Sequence, residues 1–329
     1  MQSSELESQV VDRAPIAGHV GKSGASLERW VLADGSSVVV KRIRPASDLL
    51  GRLTQDDSVR EYAVWAGGLL DHLPHGVEHA VIEGWREPGG ASLVMRDLDG
   101  RVLSWDDRLD RDQCRWVLGQ VARMHTAFAD LSIGPLRKAL TPLTSFYSMF
   151  APERMRPYLD SGSALPGLAT RGWELFGQMV PADVSGPVLA LLHDPAPLVR
   201  ALLSRRCTVV HGDLATVNLA VESGSLVLLD WGLPALAPGA VDVARFIAGC
   251  SSVVELSREE ILGEYAAAAG SSYDEEAMEL GLLAAFVWLG WNKALDAAEH
   301  PDPAVRERER EDLAWWVARA RAALVAGLP

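Results

Sequence analysis

The sequence predicts an α+β protein of two lobes, in which a small antiparallel sheet carrying one helix precedes a larger, mainly helical part. Three observations support this prediction. Strand-like runs separated by turn residues dominate the first 96 residues, apolar residues then recur at helical spacing, and a compact β segment at 207–230 interrupts the helical part. We therefore place an N-terminal lobe at residues 1–96 and a C-terminal lobe at 97–329.

The N-terminal lobe contains two pairs of predicted strands. Within 27–43, two β-branched runs flank Asp34 and Gly35, a pair typical of a type I′ turn because that turn needs positive φ at both central residues. Two more strand-like runs lie within 80–95, on either side of a Pro-Gly-Gly turn signal. Between these pairs, 55–73 has apolar residues at intervals of three and four, which predicts the helix of this lobe.

The C-terminal lobe is predicted to be helical apart from the β segment. Asp112 to Phe128 has apolar residues at spacings of three and four, as in a half-buried helix. We also expect mostly helical structure over 140–206 and 251–329. The longest apolar stretch, 281–291, is shorter than the roughly 20 residues that cross a bilayer, so no membrane partner is expected.

Composition narrows the function classes. The formal charge of −13 disfavours a nucleic-acid partner, because phosphate backbones need a basic surface. An acidic surface suits a cationic substrate, and it equally serves to keep a protein soluble. Three scattered cysteines and a polar start without a signal-like apolar run predict a cytoplasmic protein.

Lysine and asparagine are rare in this chain. Four lysines stand against 27 arginines, and asparagine occurs twice. A lysine or asparagine at a chemically meaningful position is therefore more informative here than usual.

The segment 208–232 carries the strongest functional pattern. It contains His-x-Asp-x-x-x-x-Asn as His211, Asp213 and Asn218, delivered by an apolar strand. A predicted hairpin then leads to Asp230, which would bring Asn218 and Asp230 to the same end of a small sheet.

These residue types suit phosphoryl transfer, which requires positioning and charge neutralisation more than covalent chemistry. A carboxylate beside the attacking hydroxyl orients it and accepts its proton, a role that fits Asp213. Magnesium prefers hard oxygen ligands and takes only one or two from protein, which fits Asn218 and Asp230. We expect His211 to hold the loop by hydrogen bonds rather than to perform acid–base chemistry.

This segment resembles the catalytic and metal-binding loops of the aminoglycoside phosphotransferase and choline kinase group of protein-kinase-like enzymes. Asp230-Trp231-Gly232 is similar to the group's variant of the Asp-Phe-Gly motif, whereas 215–217 departs from its usual His-Pro-Gly sequence. The resemblance implies a protein-kinase-like fold, ATP (or GTP) with Mg²⁺, and transfer to a small-molecule hydroxyl. It also implies that Asp242 braces the catalytic loop.

The resemblance assigns further residues to the nucleotide. Lys41, at the end of a predicted strand, matches the lysine that contacts ATP phosphates, and Glu61 is its expected partner. Ser23 and Gly24 belong to the loop that would cover the triphosphate. This loop is not a Walker A motif, because the earlier glycine of that pattern falls at Ile16, and a plain surface turn is the alternative.

The segment around Met95, Asp97 and Leu98 is similar to the strand that enters the family's inter-lobe hinge, where backbone groups bond adenine. His125 lies on a helix that also resembles one of the family. We expect it to be a hydrogen-bonded core histidine rather than a catalyst.

The acceptor is expected to bind against 140–206 and 251–329. Trp288 and Trp291, one helical turn apart, would either stack on an acceptor ring or pack in the core. The charge and the family together suggest a hydroxylated amine, such as an aminoglycoside or amino sugar, with a macrolide or other neutral metabolite as an alternative.

Two rival functions are less consistent with the sequence. A protein kinase would need a long activation segment, and only nine residues separate Gly232 from Asp242. A pseudokinase without turnover is disfavoured because the residues expected of an active enzyme are present, namely Lys41, Glu61, Asp213, Asn218 and Asp230.

Overall fold

The computed structural model describes residues 3–16 and 25–327 and confirms the predicted α+β, two-lobe fold. The strands are β1 Val10–Pro15, β2 Ser26–Leu32, β3 Ser37–Ile43, β4 Val77–His79, β5 Val81–Glu87, β6 Gly90–Arg96, β7 Thr208–Val210, β8 Leu219–Glu222, β9 Ser225–Leu228 and β10 Ala235–Ala237. The helices are α1 Ser3–Ser8, α2 Leu49–Leu53, α3 Arg60–Ala66, α4 Arg111–Ala129, α5 Leu143–Ser148, α6 Pro152–Met155, α7 Leu165–Met179, α8 Ala182–His193, α9 Ala196–Leu203, α10 Ala240–Cys250, α11 Arg258–Ala269, α12 Glu275–Glu299 and α13 Pro303–Ala326.

The N-terminal sheet has five antiparallel strands in the order β1-β2-β3-β6-β5. Its side chains alternate between two apolar clusters, as expected for a pleated sheet covered on both faces. One cluster packs beneath α1 and contains Leu6, Trp30, Leu32, Val38, Val40 and Val94. The other lies against α3 and contains Ile43, Val59, Val81, Ala91 and Leu93. Lys41, near the end of β3, pairs with Leu27 and Leu93 of the neighbouring strands.

The hairpin between β2 and β3 forms where the sequence predicts it, but its turn differs. Gly35 has φ +85°, whereas Asp34 does not have positive φ, so the predicted type I′ turn is wrong. The Asp34 carboxylate instead accepts hydrogen bonds from the backbone N–H and the hydroxyl of Ser36, at 2.9 and 2.6 Å. These two local hydrogen bonds stabilise a loop that is wider than a two-residue turn.

The predicted helix over 55–73 is wrong in extent. Gln55 and Val59 have φ of 57° and 53°, so the helical path begins only at α3, and it ends before the pair Gly67-Gly68. The Asp56 carboxylate, 2.8 Å from the backbone nitrogen of Arg60, satisfies the first turn of α3 and fixes its start. The short helices α1 and α2 were not predicted, and each is too short to show a periodic pattern.

The C-terminal lobe follows the predicted plan. α4 confirms the helix expected from Asp112 to Phe128, and Asp110 begins it with a capping box to Gln113. The long helices α12 and α13 lie side by side and pack with α7 around one core. No helix within the described ranges is long and apolar enough to cross a membrane.

Two small sheets position the segment 208–232. β8 and β9 form the predicted hairpin, with Leu219 opposite Leu228, and β4 adds to β9 in parallel. β7 pairs with β10. Asn218 directly precedes β8 and Asp230 follows β9 by two residues, so both lie at the same end of the hairpin.

Candidate active site

Lys41 joins the sheet to α3 and to the C-terminal lobe. Its Nζ lies 2.7 Å from Oε2 of Glu61 and 2.9 Å from Oδ1 of Asp230. The structure therefore brings together three residues that were assigned to the nucleotide and metal from the sequence. Lys41 and Glu61 are buried, whereas the side chain of Asp230 is 44% exposed toward the cleft.

The positive charge of Lys41 compensates the negative charges of Glu61 and Asp230. Burial alone would lower the pKa of Lys41, but the carboxylates of Asp230 and Glu61 outweigh it and raise that pKa, so the ammonium stays charged. Burial raises the pKa of Glu61. The Asp230 side chain is partly exposed, but the protein around its carboxylate still acts to raise its pKa; the Lys41 ammonium outweighs this effect and holds the pKa of Asp230 below its usual value.

The loop 211–218, which was predicted to be catalytic, turns sharply after β7. Gly212 has φ +84°, and a Cβ there would lie 2.0 Å from the carbonyl oxygen of Leu233, so only glycine fits. The backbone N–H groups of His211 and Gly212 donate to the two carboxylate oxygens of Asp242, each at 2.8 Å. Asp242 lies in the first turn of α10 and thus occupies the bracing position that the family resemblance implied.

His211 links this loop to the hairpin that carries Asp230. Its Nε2 lies 2.8 Å from the carbonyl oxygen of Leu229, and its Nδ1 lies 3.3 Å from the backbone nitrogen of Asp213. The network therefore assigns a neutral ring with its proton on Nε2. The ring also packs against Trp231, with 4.7 Å between ring centroids. These contacts agree with the expected loop-holding role.

Asp213 is held from two sides. Oδ1 lies 2.7 Å from Nε of Arg245, on α10. Asn218 donates from Nδ2 to the carbonyl oxygen of Asp213 at 2.8 Å and to its Oδ2 at 3.3 Å. The side chain of Asp213 is 30% exposed, so an acceptor can reach it.

Arg245 is a site residue that the sequence analysis missed. Its guanidinium lies over the ring of Trp288, 5.5 Å from the centroid, and a Cβ on Gly249 would lie 2.2 Å from its Nη1. The signal for it was present, because Arg245 lies three residues after Asp242 and thus on the same face of α10.

The metal-ligand candidates suit magnesium. The hydrogen bonds of Asn218 use its Nδ2, which leaves the amide oxygen for a cation, and Lys41 contacts only Oδ1 of Asp230. Within the part of the chain that the structure describes, no group of three or more His, Cys, Asp or Glu side chains is arranged to hold a metal. One amide oxygen and one carboxylate fit an ion that keeps several of its waters and is shared with phosphate groups.

A single cleft connects these groups. It is lined by Ala25, Lys41, Ile43, Asp48, Leu50, Gly51, Thr54, Asp56, Arg60, Glu61, Asp213, Asp230, Gly232 and Leu233. Asp48, at the start of α2, was not foreseen. Its burial, with a further contribution from the negative charge of Asp230, raises its pKa to about 6. The unpredicted α2 thus adds a carboxylate to the cleft.

The three residues expected at the inter-lobe hinge, Met95, Asp97 and Leu98, lie in different environments. The Asp97 carboxylate is 2.7 Å from Nε of Arg29 and accepts a 2.7 Å hydrogen bond from Ser37, so its side chain is used within the lobe. Leu98 is buried, and Met95 is partly buried. Contact of adenine with backbone groups around Met95–Leu98 stays a prediction. Ser23 and Gly24 lie outside the described residues.

Trp288 and Trp291 pack in the core, each with 4% of its surface exposed. The ring of Trp288 lies 4.5 Å from that of Phe146, and the ring of Trp291 lies 5.5 Å from that of Phe150. The core interpretation of both residues is therefore favoured, although the ring of Trp288 also lies beside the Arg245 guanidinium that contacts Asp213.

Comparison with known proteins agrees with this geometry. A sequence model described as "Phosphotransferase enzyme family" matches residues 20–280. No curated protein sequence matches the chain significantly. Among solved structures, the chain is similar to spectinomycin phosphotransferase APH(9)-Ia in complex with ADP and spectinomycin, at 13% identity, TM-score 0.56 and coverage of 97% of this chain and 96% of that one.

Two further structures have comparable folds. The GDP and kanamycin complex of APH(2")-IIia is 13% identical with a TM-score of 0.52, covering 97% of this chain and 94% of that one. Amicoumacin kinase hAmiN in complex with AMP-PNP, Ca²⁺ and Ami is 14% identical with a TM-score of 0.53, covering 94% and 88%. Such low identities show the fold alone. Because the family match spans most of the chain, the protein belongs to the phosphotransferase enzyme family.

Proposed function

We propose that this phosphotransferase moves the γ-phosphoryl group of ATP, with Mg²⁺, to a hydroxyl group of a small hydroxylated amine, with Asp213 as the base. The observation that carries the proposal is the single cleft in which Lys41 and Asp230 lie close to Asp213. A cation, a metal-ligand candidate and a base candidate within one cleft are the parts that phosphoryl transfer needs.

In this proposal the chain's own groups divide the work. Lys41, kept charged by Glu61, binds phosphate oxygens, and Asn218 and Asp230 hold the ion, which supplies further neutralisation of phosphate charge. Arg245 contacts Oδ1 of Asp213, whereas Oδ2 accepts only the longer 3.3 Å bond from Asn218 and keeps a lone pair to receive the proton of the acceptor hydroxyl. The hydroxyl oxygen then attacks the γ-phosphorus as the bond to the bridging oxygen of ADP breaks.

The proposed class of acceptor rests on the net charge of the chain and on the ligands of the similar structures. The net charge of −13 favours a cationic acceptor, and the similar structures are named for complexes with spectinomycin, kanamycin and amicoumacin. One observation favours a second candidate, a neutral hydroxylated metabolite such as a macrolide. Arg245 places a cation directly beside Asp213, and this cation repels an ammonium group next to the reacting hydroxyl.

Calorimetric titration with a non-hydrolysable ATP analogue, with and without Mg²⁺, tests the nucleotide half. We expect binding that Mg²⁺ tightens in the wild type but not in Asp230→Ala. The same titration with a GTP analogue decides between the two nucleotides. If neither nucleotide binds, the proposal fails and a pseudokinase becomes the better interpretation. Mg²⁺ that still tightens binding to Asp230→Ala removes Asp230 from the metal site.

An acceptor screen tests the other half. Aminoglycosides, amino sugars, small amino alcohols and macrolides are offered with ATP and Mg²⁺, and ADP release is measured against each acceptor. We expect phosphorylation of a hydroxylated amine. Phosphorylation of neutral alcohols alone would favour the second candidate.

A further inference from the structure

Trp105 is a large aromatic side chain that is 47% exposed beside the candidate active site. A Cβ added to Gly249 would lie 3.6 Å from Cζ3 of Trp105 and 2.2 Å from Nη1 of Arg245, so the ring and the guanidinium are close neighbours. Because Arg245 contacts Asp213, the ring of Trp105 lies on the side of the site where an acceptor approaches the candidate base.

The segment that carries Trp105 is held at both ends. The backbone nitrogen of Leu103 donates to the carbonyl oxygen of Leu219, at the start of β8, at 2.9 Å. The backbone nitrogen of Leu109 donates to the carbonyl oxygen of Val253, just beyond α10, at 3.0 Å. Trp105 is therefore fixed in position, although part of its ring is open to solvent.

A cavity of about 220 Å³ lies beyond the end of α10. Ser252, which lines it, follows Arg245 and Gly249 at intervals of four and three residues and so continues the same helical face. Seven residues of helix span about 10 Å, which places the cavity about 10 Å from Arg245, past Trp105. A cavity of about 150 Å³ already admits a benzene ring, so this one has room for a sugar ring.

The packing of α10 against α12 leads to the same cavity. A Cβ on Gly281 would lie 3.0 Å from atoms of Ala240, and further along both helices Arg245 lies 5.5 Å from the ring centroid of Trp288. The two helices therefore run in the same direction. Lys293, five residues after Trp288, binds carboxylates that line the cavity, so the cavity lies beyond the contact of Arg245 with Trp288 on both helices.

The carboxylates at the cavity already have partners. Nζ of Lys293 lies 2.7 Å from Oδ2 of Asp312 and 3.3 Å from Oε2 of Glu309, and Arg258 also pairs with Asp312. By contrast, Nε of Arg258 is buried without a hydrogen-bond partner among the described residues, and the half-exposed Arg308 has only a long contact of 3.6 Å to Glu309. The groups left for a ligand are therefore donors.

We propose that Trp105 and this cavity form a second subsite for the acceptor. Trp105 stacks on the acceptor, and the cavity takes a further ring that carries hydrogen-bond-accepting oxygens and no ammonium group. Two guanidinium groups would repel an ammonium there, whereas hydroxyl, carbonyl or carboxylate oxygens accept from them. The acceptor thus has at least two rings. The inference rests on the proposed function, in that Asp213 is taken to mark the position of the reacting hydroxyl.

Matched acceptors test the subsite by turnover. The probes are glucosamine and three two-ring glycosides of it, whose second ring is glucose, glucuronic acid or glucosamine. We expect kcat/KM to be about tenfold higher with glucose or glucuronic acid as the second ring than with glucosamine there, because only the last adds a second ammonium group. We expect Arg308→Ala to reduce this difference.

Two variants change the subsite without touching Asp213. Trp105→Ala removes the stacking ring and Ser252→Phe fills the cavity, and each should lower kcat/KM for the two-ring acceptors about tenfold, with KM for ATP within twofold of the wild type. Ser252→Phe should leave glucosamine turnover unchanged, since one ring does not reach the cavity. The controls are Ile82→Ala and Ser271→Phe, at exposed positions on β5 and after α11.

A binding measurement does not depend on turnover. ¹⁵N spectra are recorded with the same four probes, with and without Mg²⁺ and the ATP analogue, and Trp105→Phe assigns the indole signal of Trp105. We expect a two-ring probe to shift the Trp105 indole and the Ser252 amide together and saturably, whereas glucosamine leaves the Ser252 amide unshifted. Such shifts without turnover would support the subsite while the proposed function fails.

Three results overturn the inference. The first is that no two-ring probe shifts both signals. The second is that Ser252→Phe lowers turnover of glucosamine as much as that of the two-ring acceptors, which indicates general damage to the fold. The third is turnover of two-ring acceptors that neither Trp105→Ala nor Ser252→Phe changes, in which case the phosphotransferase proposal stands and the second subsite does not.

Discussion

The ammonium nitrogen of Lys41 lies 2.9 Å from a carboxylate oxygen of Asp230, so a strand of the N-terminal sheet is bonded to the loop that follows β9 in the other lobe. The same nitrogen also contacts Glu61 at 2.7 Å. One cation therefore compensates two carboxylates, of which Glu61 is deeply buried.

The variant Lys41→Met leaves both carboxylates without their cation. We expect affinity for the ATP analogue to fall more than tenfold, since phosphate loses a charged partner. We also expect about 1–3 kcal/mol of stability to be lost near neutral pH, because removing one member of a buried pair leaves an uncompensated charge. Calorimetry and denaturant unfolding measure the two effects. Lys138→Met, at an exposed lysine, is the control, and equal behaviour of the two variants would refute the role of Lys41.

The variant Asp213→Asn keeps the size of the side chain and removes its basicity. We expect kcat to fall by a factor of about 10²–10⁴, in the range for loss of a general base, with Mg²⁺–nucleotide binding retained. Steady-state kinetics measure the loss of turnover, and calorimetry on the same preparation measures nucleotide binding. Asp112→Asn, on the exposed first turn of α4, should match the wild type. Full turnover by Asp213→Asn would remove Asp213 from the role of base.

Arg245 is expected to orient Asp213. We predict that Arg245→Gln lowers kcat about tenfold, equivalent to about 1.4 kcal/mol, without weakening nucleotide binding. Gly249→Ala should have a similar effect, since the new Cβ would lie 2.2 Å from Nη1 of Arg245. The double variant should then lose little more than Arg245→Gln alone.

The control for this cycle is Gly119→Ala, where an added Cβ within a helix meets nothing within 4 Å. Additive losses in the Arg245 and Gly249 variants would show that the two residues act separately. Such a result is incompatible with Gly249 serving to seat the guanidinium.

Asp48 should make stability depend on pH. Its pKa of about 6 lies above the usual 3.8, so the folded state favours the protonated form. The stability that it contributes is complete below about pH 4 and is lost as pH rises through about 6. We expect Asp48→Asn to be more stable than the wild type by about 1–2 kcal/mol at pH 7.5 and equal to it at pH 4. Thermal unfolding at both pH values measures this, with exposed Asp57→Asn as control; a gain of equal size at both pH values would argue against the burial of Asp48 as the cause.

Local patterns in the sequence predicted much of this fold. Periodicity located α4, and alternating residues with turn signals located β2, β3 and the hairpin of β8 and β9. The helix over 55–73 was misjudged because its apolar spacing continues across Gln55 and Val59, whose positive φ values break the helix. The start of α3 is held instead by the bond of Asp56 to the backbone of Arg60 and by the bond of the Arg60 guanidinium to the carbonyl oxygen of Gly232, and a local pattern does not record the second contact.

The candidate site likewise contains residues that the sequence predicted and residues that it did not. His211, Asp213, Asn218 and Asp230 were found because the chemistry needs these residue types at short, fixed spacing along one hairpin. Arg245 was not found as a site residue, since its partner Asp213 lies 32 positions away along the chain. Asp48 was not found because the cleft that it lines is formed by residues from distant parts of the chain. The sequence by itself determined the family, the two-lobe plan and the motif His211, Asp213, Asn218 and Asp230, because these depend on local spacing. The tertiary structure alone decided which cation contacts Asp213 and which carboxylates share Lys41, because burial and contact between distant segments exist only after the chain has folded.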